Sequence, residues 1–418
     1  MAQLSDDCFA FGGELLSMSA ALDLIGAKVA PVVERETTSL SAALGRILAA
    51  PVTAPHDVPP HDNSAVDGYA VRFDDLAPGE ATLLPVKGRA AAGHPLEATA
   101  ARGAAVRIFT GAPMPAGLDT VLMQEDCEEL EASVRIPPGI KRGANRRHAG
   151  EDVKAGATVL RAGQRLRAQD IGLAASLGFT ALEVYRRLRV AIFSTGDEVR
   201  DPGATLAPGA IYDANRFLLR ALLEGLGAEV TDLGILPDRR ERIAAALAEG
   251  ARGHDLLLTS GGVSTGEEDH VKAAVEAQGR LHFWRLAIKP GRPVAMGQVG
   301  RIPFMGLPGN PVAVMVTFLI LARPLVLKLS GAEAPPPRRF RVVAGFDYKK
   351  RSSRCEYVRA RLEPGEDGGW VARKFPRDGA GILSSMVDSD GLAEIGEGIS
   401  RVEPGMSVAF IPFSEVLA

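Results

Sequence analysis

The sequence predicts a multidomain chain of α/β plus β class. It should hold a doubly wound, mostly parallel α/β domain, a β-rich inserted domain, a helical region flanking that insert, and a C-terminal small β-barrel or sandwich. Three observations carry this expectation. Residues 187–331 alternate apolar strand-like runs with helical patterns, residues 52–131 break into short apolar runs between Gly and Pro, and Pro335-Pro336-Pro337 halts the chain before four more β-prone runs. At 418 residues the chain exceeds the size at which one core stops growing, so about three or four domains are expected.

Residues 14–50 hold two helical patterns, Met18 to Ala30 and Thr38 to Ile47. Ser19 and Thr38 or Ser39 are the expected N-caps, because a side-chain oxygen there satisfies an unpaired first-turn N–H. Beyond Val52 come Ala81 to Val86, Ala105 to Phe109 and Thr120 to Met123, each bounded by turn-forming residues, as in a small β-rich domain. Gly143 to Val153 reads as a basic-then-acidic loop, and Ala168 to Leu177 as a hydrophobic helix.

From residue 187, strands over Arg189 to Phe193, Glu229 to Leu236, Asp255 to Thr259 and Leu281 to Ala287 alternate with helices. The helices cover Asn215 to Leu226, Arg239 to Glu249 and Asp269 to Gln278. Strands separated by helices of this length require right-handed crossovers and a parallel sheet. Two short runs, Pro293 to Met296 and Ile302 to Met305, precede a long helix from Pro311. Successive prolines hold extended backbone that cannot enter a helix, so a new domain follows Pro337. It carries Arg341 to Phe346, Glu356 to Leu362, Trp370 to Phe375 and Ser407 to Ile411. The expected division is 14–52 with 140–186, 53–139, 187–332 and 336–418.

Lys and Arg total 48 against 51 acidic residues, and a net charge of -3 supplies no general basic field for nucleic acid or anionic lipid. Anion binding must therefore be local. Cys8, Cys127 and Cys355 lie far apart without a Cys-x-x-Cys pair, which argues against a zinc site or disulfide framework and suits a reducing cytoplasm. The apolar run Pro311 to Leu329 is interrupted by Arg323-Pro324 and contains Lys328, so it is expected as a buried helix rather than a membrane span. Met1 to Gly13 contains Asp6 and Asp7 and lacks a basic region followed by an apolar core, so no secretory signal is expected.

In open α/β sheets, ligands bind beyond the C-terminal ends of the strands. Ser194-Thr195-Gly196-Asp197-Glu198 follows the first strand, with two acids beside a glycine that permits close approach. Ser260-Gly261-Gly262-Val263-Ser264-Thr265-Gly266-Glu267-Glu268-Asp269 follows the third. Its glycines and hydroxyls can turn backbone N–H groups toward phosphate; a plain strand-to-helix turn capped by Asp269 is the alternative. In Gly306-Leu307-Pro308-Gly309-Asn310-Pro311, Asn310 can cap the helix and Pro311 can take its first position. Lys289-Pro290-Gly291-Arg292-Pro293 adds two cations suited to an oxyanion, while Asp197, Glu198, Asp238 and Asp269 suit a hard cation such as Mg²⁺. The seven histidines show no metal-ligand spacing, and no Gly-x-Ser-x-Gly elbow is present. The polar segment His61 to Ala70 either caps a turn or reads a polar ligand.

Taken together, these residues resemble the molybdopterin molybdenumtransferases, the molybdenum insertases related to the E domain of gephyrin. The family pattern Asp-Asn-Ser-Ala-Met-Asp-Gly-Tyr-Ala is similar to Asp62 to Ala70, with Val66 for Met, and Thr-Gly-Ala-Pro-x-Pro-x-Gly is reproduced at Thr110 to Gly117. Gln124-Glu125, Gly150-Glu151-Asp152, Ser194 to Glu198, Ile211 to Asn215, Ser260 to Asp269, Ile288 to Gly291 and Gly306 to Pro311 match in order.

The resemblance implies an enzyme that takes adenylylated molybdopterin and molybdate, cleaves the phosphoanhydride with Mg²⁺, releases AMP and leaves molybdenum on the dithiolene. It implies catalytic roles for Asp62, Thr110, Asp152, Glu198, Asp238 and Asp269, with Glu198, Asp238 and Asp269 handling Mg²⁺. Binding roles fall to Ser194, Thr195, Gly196, Ser260, Gly261, Gly262, Ser264, Gly266, Lys289, Arg292, Pro308, Gly309, Asn310 and Pro311. Arg292 stands where lysine is common, a planar fork in place of a point charge. The resemblance also implies a cytoplasmic homodimer with an elongated dimerisation region, in which the Asp62 segment and Thr110 of one subunit face the α/β domain of the other. Its implied partners are a molybdopterin adenylyltransferase upstream and molybdoenzyme maturation factors downstream, with no nucleic acid or membrane. Two other readings are a scaffold of the gephyrin E-domain type and a molybdopterin adenylyltransferase. The latter is expected to lack residues 1–186 and 336–418.

Overall fold

Along the strand Arg189–Thr195 (β1), Val190 and Ile192 enter one apolar cluster while Ala191 and Phe193 enter another. Such alternation of two buried faces is what a strand covered by helices on both sides requires. It recurs along Leu256–Ser260, where Leu256 and Leu258 join the first cluster and Leu257 the second. The computed structural model describes residues 16–262, 270–351 and 353–417. The expectations on Met1 to Gly13 and on Ser264, Gly266 and Asp269 lie outside the described residues.

The sheet contains β1, Glu229–Leu236 (β2), Leu256–Ser260 (β3), Gly279–Arg285 (β4), Pro293–Val299 (β5) and Ile302–Leu307 (β6), in spatial order β2-β1-β3-β6-β5-β4. The first four of that order are parallel neighbours, and β5 runs antiparallel to both β6 and β4. The helix Asn215–Gly225 (α1) links β1 to β2, Arg240–Gly253 (α2) links β2 to β3, and His270–Glu276 (α3) precedes β4. Ile243, Leu247, Val271 and Val275 of α2 and α3 cover one face, and Leu219 and Leu223 of α1 the other. The fold is doubly wound and mostly parallel, as the sequence predicts.

The run after Pro311 forms Pro311–Thr317 (α4) and Arg323–Leu329 (α5), joined by a wider turn over Phe318–Ala322 in which the Arg323 N–H reaches back to the Phe318 carbonyl. Pro324 has no N–H to give and its ring crowds the carbonyl one turn back, so the helix loosens rather than stops. The segment is long and apolar enough to cross a bilayer, yet 83% of it is buried among the core residues, so it is a core helix.

Beyond the prolines, Phe340–Ala344 (β7), Cys355–Pro364 (β8), Trp370–Lys374 (β9), Gly391–Ile395 (β10) and Ser407–Pro412 (β11) close in the order β8-β9-β7-β11-β10 and back to β8. This is a closed five-stranded barrel, which resolves barrel against sandwich; the sequence reading missed β10. Val342, Val358, Ala372, Ala393 and Phe410, one from each strand, share its core.

Two expectations near the start are corrected. The helix over Thr38 to Ile47 is absent: Arg35–Ser39 is a strand paired antiparallel with Ala181–Tyr185, followed by a short 3-10 turn at Leu40–Ala42. Thr37, Thr38 and Ser39 favour extended backbone and find a partner strand, which outweighs the helical spacing of Leu40, Ala43 and Leu44. The helix Met18–Lys28 is capped by Ser17, whose hydroxyl accepts the Ala20 N–H at 3.2 Å, and not by Ser19.

The chain divides into two compact units, one from residues up to 50, 162–167 and 181–418, the other from 51–161 and 168–180. The second holds a six-stranded sheet in the order Thr120–Met123, Gly68–Val71, Ala105–Ile108, Thr82–Ala90, Ser133–Ile136 and Glu128–Leu130, and the expected helix at Ala168–Ser176.

Candidate active site

The ends of three parallel strands are in register: Ser194 of β1 lies opposite Ser260 of β3, and Ser260 opposite Leu307 of β6. The residues that follow, Thr195-Gly196, Gly261-Gly262 and Pro308-Gly309-Asn310, therefore arrive side by side. They line a cavity of about 590 Å³ together with Glu198, Asp238, Lys289, Pro290 and Gly291. A smaller hollow of about 290 Å³ shares Thr195, Glu198, Gly261, Gly309 and Asn310 and reaches Ser194, Ser260 and Pro311. This is the C-terminal edge of the parallel sheet, where ligands of doubly wound folds bind.

Local chemistry fixes the turns. Gly262 has φ +63°, and a Cβ there would come 2.5 Å from Thr195 Oγ1, so a side chain would close the gap between two strand ends. Gly291 has φ +100°, and its Cβ would meet Thr317 Oγ1 at 2.1 Å, so glycine lets the Lys289 loop lie against α4. Asn215 at the start of α1 donates to Ser260 Oγ at 2.8 Å and to the Gly309 carbonyl at 2.6 Å, tying two of the three turns. Asn215 ends the Ile211 to Asn215 motif, and nothing local in the sequence marks its bonds to those two turns. Asn310 sits at the N-cap of α4 with Pro311 next, but its side chain makes no capping bond and lines the cavity instead.

The described binding residues Ser194, Thr195, Gly196, Ser260, Gly261, Gly262, Lys289, Pro308, Gly309, Asn310 and Pro311 are thus brought together, with Glu198 and Asp238 beside them. Arg292 is not: it is exposed, one residue beyond Gly291, and does not line the cavity. Glu198 is exposed, and no described residue pairs with its carboxylate. Among the described residues no cluster of three or more His, Cys, Asp or Glu is arranged to hold a metal.

The far wall comes from the barrel and was not read from the sequence. Tyr348, Tyr357, Val358, Arg359 and Asp378 line it, and Glu356 lies behind them. No local motif marks these residues. Their signal is the pairing of Ile288–Lys289 with the start of β8, which no sequence periodicity reveals.

In the second unit, Asp62 accepts Arg146 Nε at 2.8 Å and the Ala149 N–H at 2.7 Å. Burial pushes the Asp62 carboxyl up, but Ala149, Arg146 and His148 together bring it below its usual range. Thr110 is bound to Asp67, and Asp152 is exposed, its N–H on the Val58 carbonyl. Tyr69 is 1% exposed in the core of its sheet, a packing residue.

Residues 16–178 match the MoeA N-terminal region (domain I and II), residues 191–328 a probable molybdopterin binding domain, and residues 341–413 the MoeA C-terminal region (domain IV). A molybdopterin molybdenumtransferase of Haemophilus influenzae is 39% identical over 386 residues, 92% of this chain and 95% of that protein. The chain belongs to the molybdopterin molybdenumtransferase family. A second member, molybdopterin molybdenumtransferase 2 of Mycobacterium tuberculosis, is 36% identical over 88% of this chain and 93% of its own length. Among solved structures, the molybdopterin biosynthesis MoeA protein of Pyrococcus horikoshii OT3 superimposes with a TM-score of 0.83 at 28% identity, over 96% of this chain and 100% of that one. The family's N-terminal and C-terminal regions both match here, which removes the adenylyltransferase reading, since that expectation required a chain without them.

Proposed function

We propose that this chain is a molybdopterin molybdenumtransferase acting in molybdenum cofactor biosynthesis, and that the cavity at the ends of β1, β3 and β6 is where adenylylated molybdopterin is cleaved. One observation carries the reading: a lysine, a glycine pair with positive φ and two carboxylates line one cavity. Lys289 binds phosphate oxygens as a point charge, and the Gly261-Gly262 turn offers a cradle that side chains would obstruct. Glu198 and Asp238 are hard oxygen donors that fit Mg²⁺, which takes one or two carboxylates and completes its shell with water and phosphate. When bound, the ion supplies neutralisation of the diphosphate charge. Barrel residues Tyr348 and Tyr357 shield the same volume from water.

Asp269, Ser264 and Gly266 belong to the same proposal through the matching motif. Asp62 and Thr110 enter through a proposed cytoplasmic homodimer in which they face the α/β domain of the other subunit, and Asp152 enters through its matching motif. In that proposal substrate arrives from a molybdopterin adenylyltransferase and product leaves to molybdoenzyme maturation factors.

The test is AMP release from adenylylated molybdopterin by the full chain. Release that requires both molybdate and Mg²⁺ supports the reading; binding without release moves it to a scaffold role.

A further inference from the structure

Lys289 faces the cavity from the α/β domain, and what holds it comes from the barrel. Ile288–Lys289 pairs in parallel with Cys355 and Glu356 at the start of β8, which sets Lys289 opposite Glu356. The Glu356 side chain is 1% exposed, with one oxygen 3.4 Å from Lys289 Nζ. That oxygen accepts the Tyr348 hydroxyl at 2.5 Å, and the other accepts Arg354 Nε at 2.7 Å. Lys289 Nζ also donates to the Tyr348 hydroxyl at 3.4 Å.

A buried carboxylate is costly unless paired and fully hydrogen-bonded. Burial pushes the Glu356 carboxyl up, and Tyr348, Arg354 and Lys289 together hold it below its usual range. Lysine brings the opposite problem, because its long flexible stem spreads the ammonium over many positions and ordering it weakens binding. The Lys289 ammonium donates to Tyr348 and is ion-paired with Glu356, and an ammonium has three N–H donors, so it keeps donor capacity for an anion in the cavity.

We infer that Glu356 is the positioning residue of the cavity's lysine: the barrel supplies, through Glu356 and Tyr348, the fixed counter-charge that aims the Lys289 ammonium at an anionic group of the substrate. Glu356 acts through Lys289 and does not touch substrate. The inference rests on reading the cavity as a phosphate site.

The experiment is a double-mutant cycle on AMP release, using the full chain with adenylylated molybdopterin, molybdate and Mg²⁺. Glu356→Gln should lower kcat/KM by about ten- to a hundredfold, chiefly through KM, the scale of one charge-assisted hydrogen bond. In a Lys289→Met background the same change should cost under about twofold, because the interaction it removes is already gone. Glu356→Asp, which keeps the charge, should recover part of the loss. Equal losses in both backgrounds overturn the inference, since a general role in barrel stability acts in both. If melting curves show Glu356→Gln unfolded, Tyr348→Phe takes its place in the cycle. Full activity of Lys289→Met alone overturns the phosphate-site reading and this inference with it, whereas additive losses overturn this inference only.

Discussion

Thr110 places both its backbone N–H and its hydroxyl on one oxygen of Asp67, each at 2.7 Å. These donors hold the Asp67 carboxyl below its usual range, against a weaker opposing effect of burial and with Arg107 assisting. A carboxyl depressed in the folded state contributes stability above its unfolded pKa and loses it as pH falls through the folded value. Thr110→Val removes the hydroxyl donor alone, so the Asp67 midpoint, followed by carboxyl ¹³C NMR, should move up toward the ordinary value. An unmoved midpoint would assign the depression to the backbone donor.

Asp255 carries the stability of the β1 and β3 starts. Its oxygens accept Arg186 Nη1 and Nη2 at 2.6 and 2.9 Å and the Arg189 N–H at 2.8 Å, and its side chain is 7% exposed. Without Asp255, Arg186 keeps Glu34 but loses its two-pronged partner, and the Arg189 N–H is left unmet, so Asp255→Ala should cost about 2 kcal/mol in urea unfolding. A loss below about 1 kcal/mol would place the pair in the class of surface salt bridges.

Gly262→Ala tests the turn. A Cβ at φ +63°, 2.5 Å from Thr195 Oγ1 and 2.7 Å from Val271 Cγ2, forces a local shift. The expected cost is about 1–3 kcal/mol in stability, with a larger rise in KM than fall in kcat. An unchanged KM would remove this turn from the substrate site.

The proposed dimer makes a prediction about mixtures. If the Asp62 wall is donated by the other subunit, heterodimers of Asp62→Ala and Glu198→Ala chains regain one good site, while each homodimer remains inactive. Verified heterodimers without activity would return Asp62 to the role its bonds to Arg146 and Ala149 describe, fixing its own loop.

Much of this was legible in the sequence, for identifiable reasons. The helix expected over Asn215 to Leu226 is Asn215–Gly225, and the strand expected over Glu229 to Leu236 has those bounds although it is the half-exposed edge of the sheet, because an amphipathic helix and a strand-like run ended by a proline are strong local patterns. Thr38 to Ile47 was misread because its fate depends on Ala181–Tyr185, a partner far along the chain. Tyr348, Glu356 and Arg359 were missed for the same reason: the barrel brings them to Lys289 through a pairing that joins residues 288–289 to 355–356. Arg292 was read as a second phosphate cation from its place beside Lys289 and from the family resemblance; the Gly291 turn leaves it exposed and outside the residues that line the cavity.

Glu198 and Lys289 line one cavity, the proposed place of phosphoanhydride cleavage. The most direct measurement compares molybdate-dependent AMP release by the unsubstituted chain and by Glu198→Ala, with melting curves recorded for both. Glu198→Ala is expected to lose AMP release by at least about a hundredfold while its melting temperature stays close to that of the unsubstituted chain. Release at the unsubstituted rate by a folded Glu198→Ala protein would contradict it.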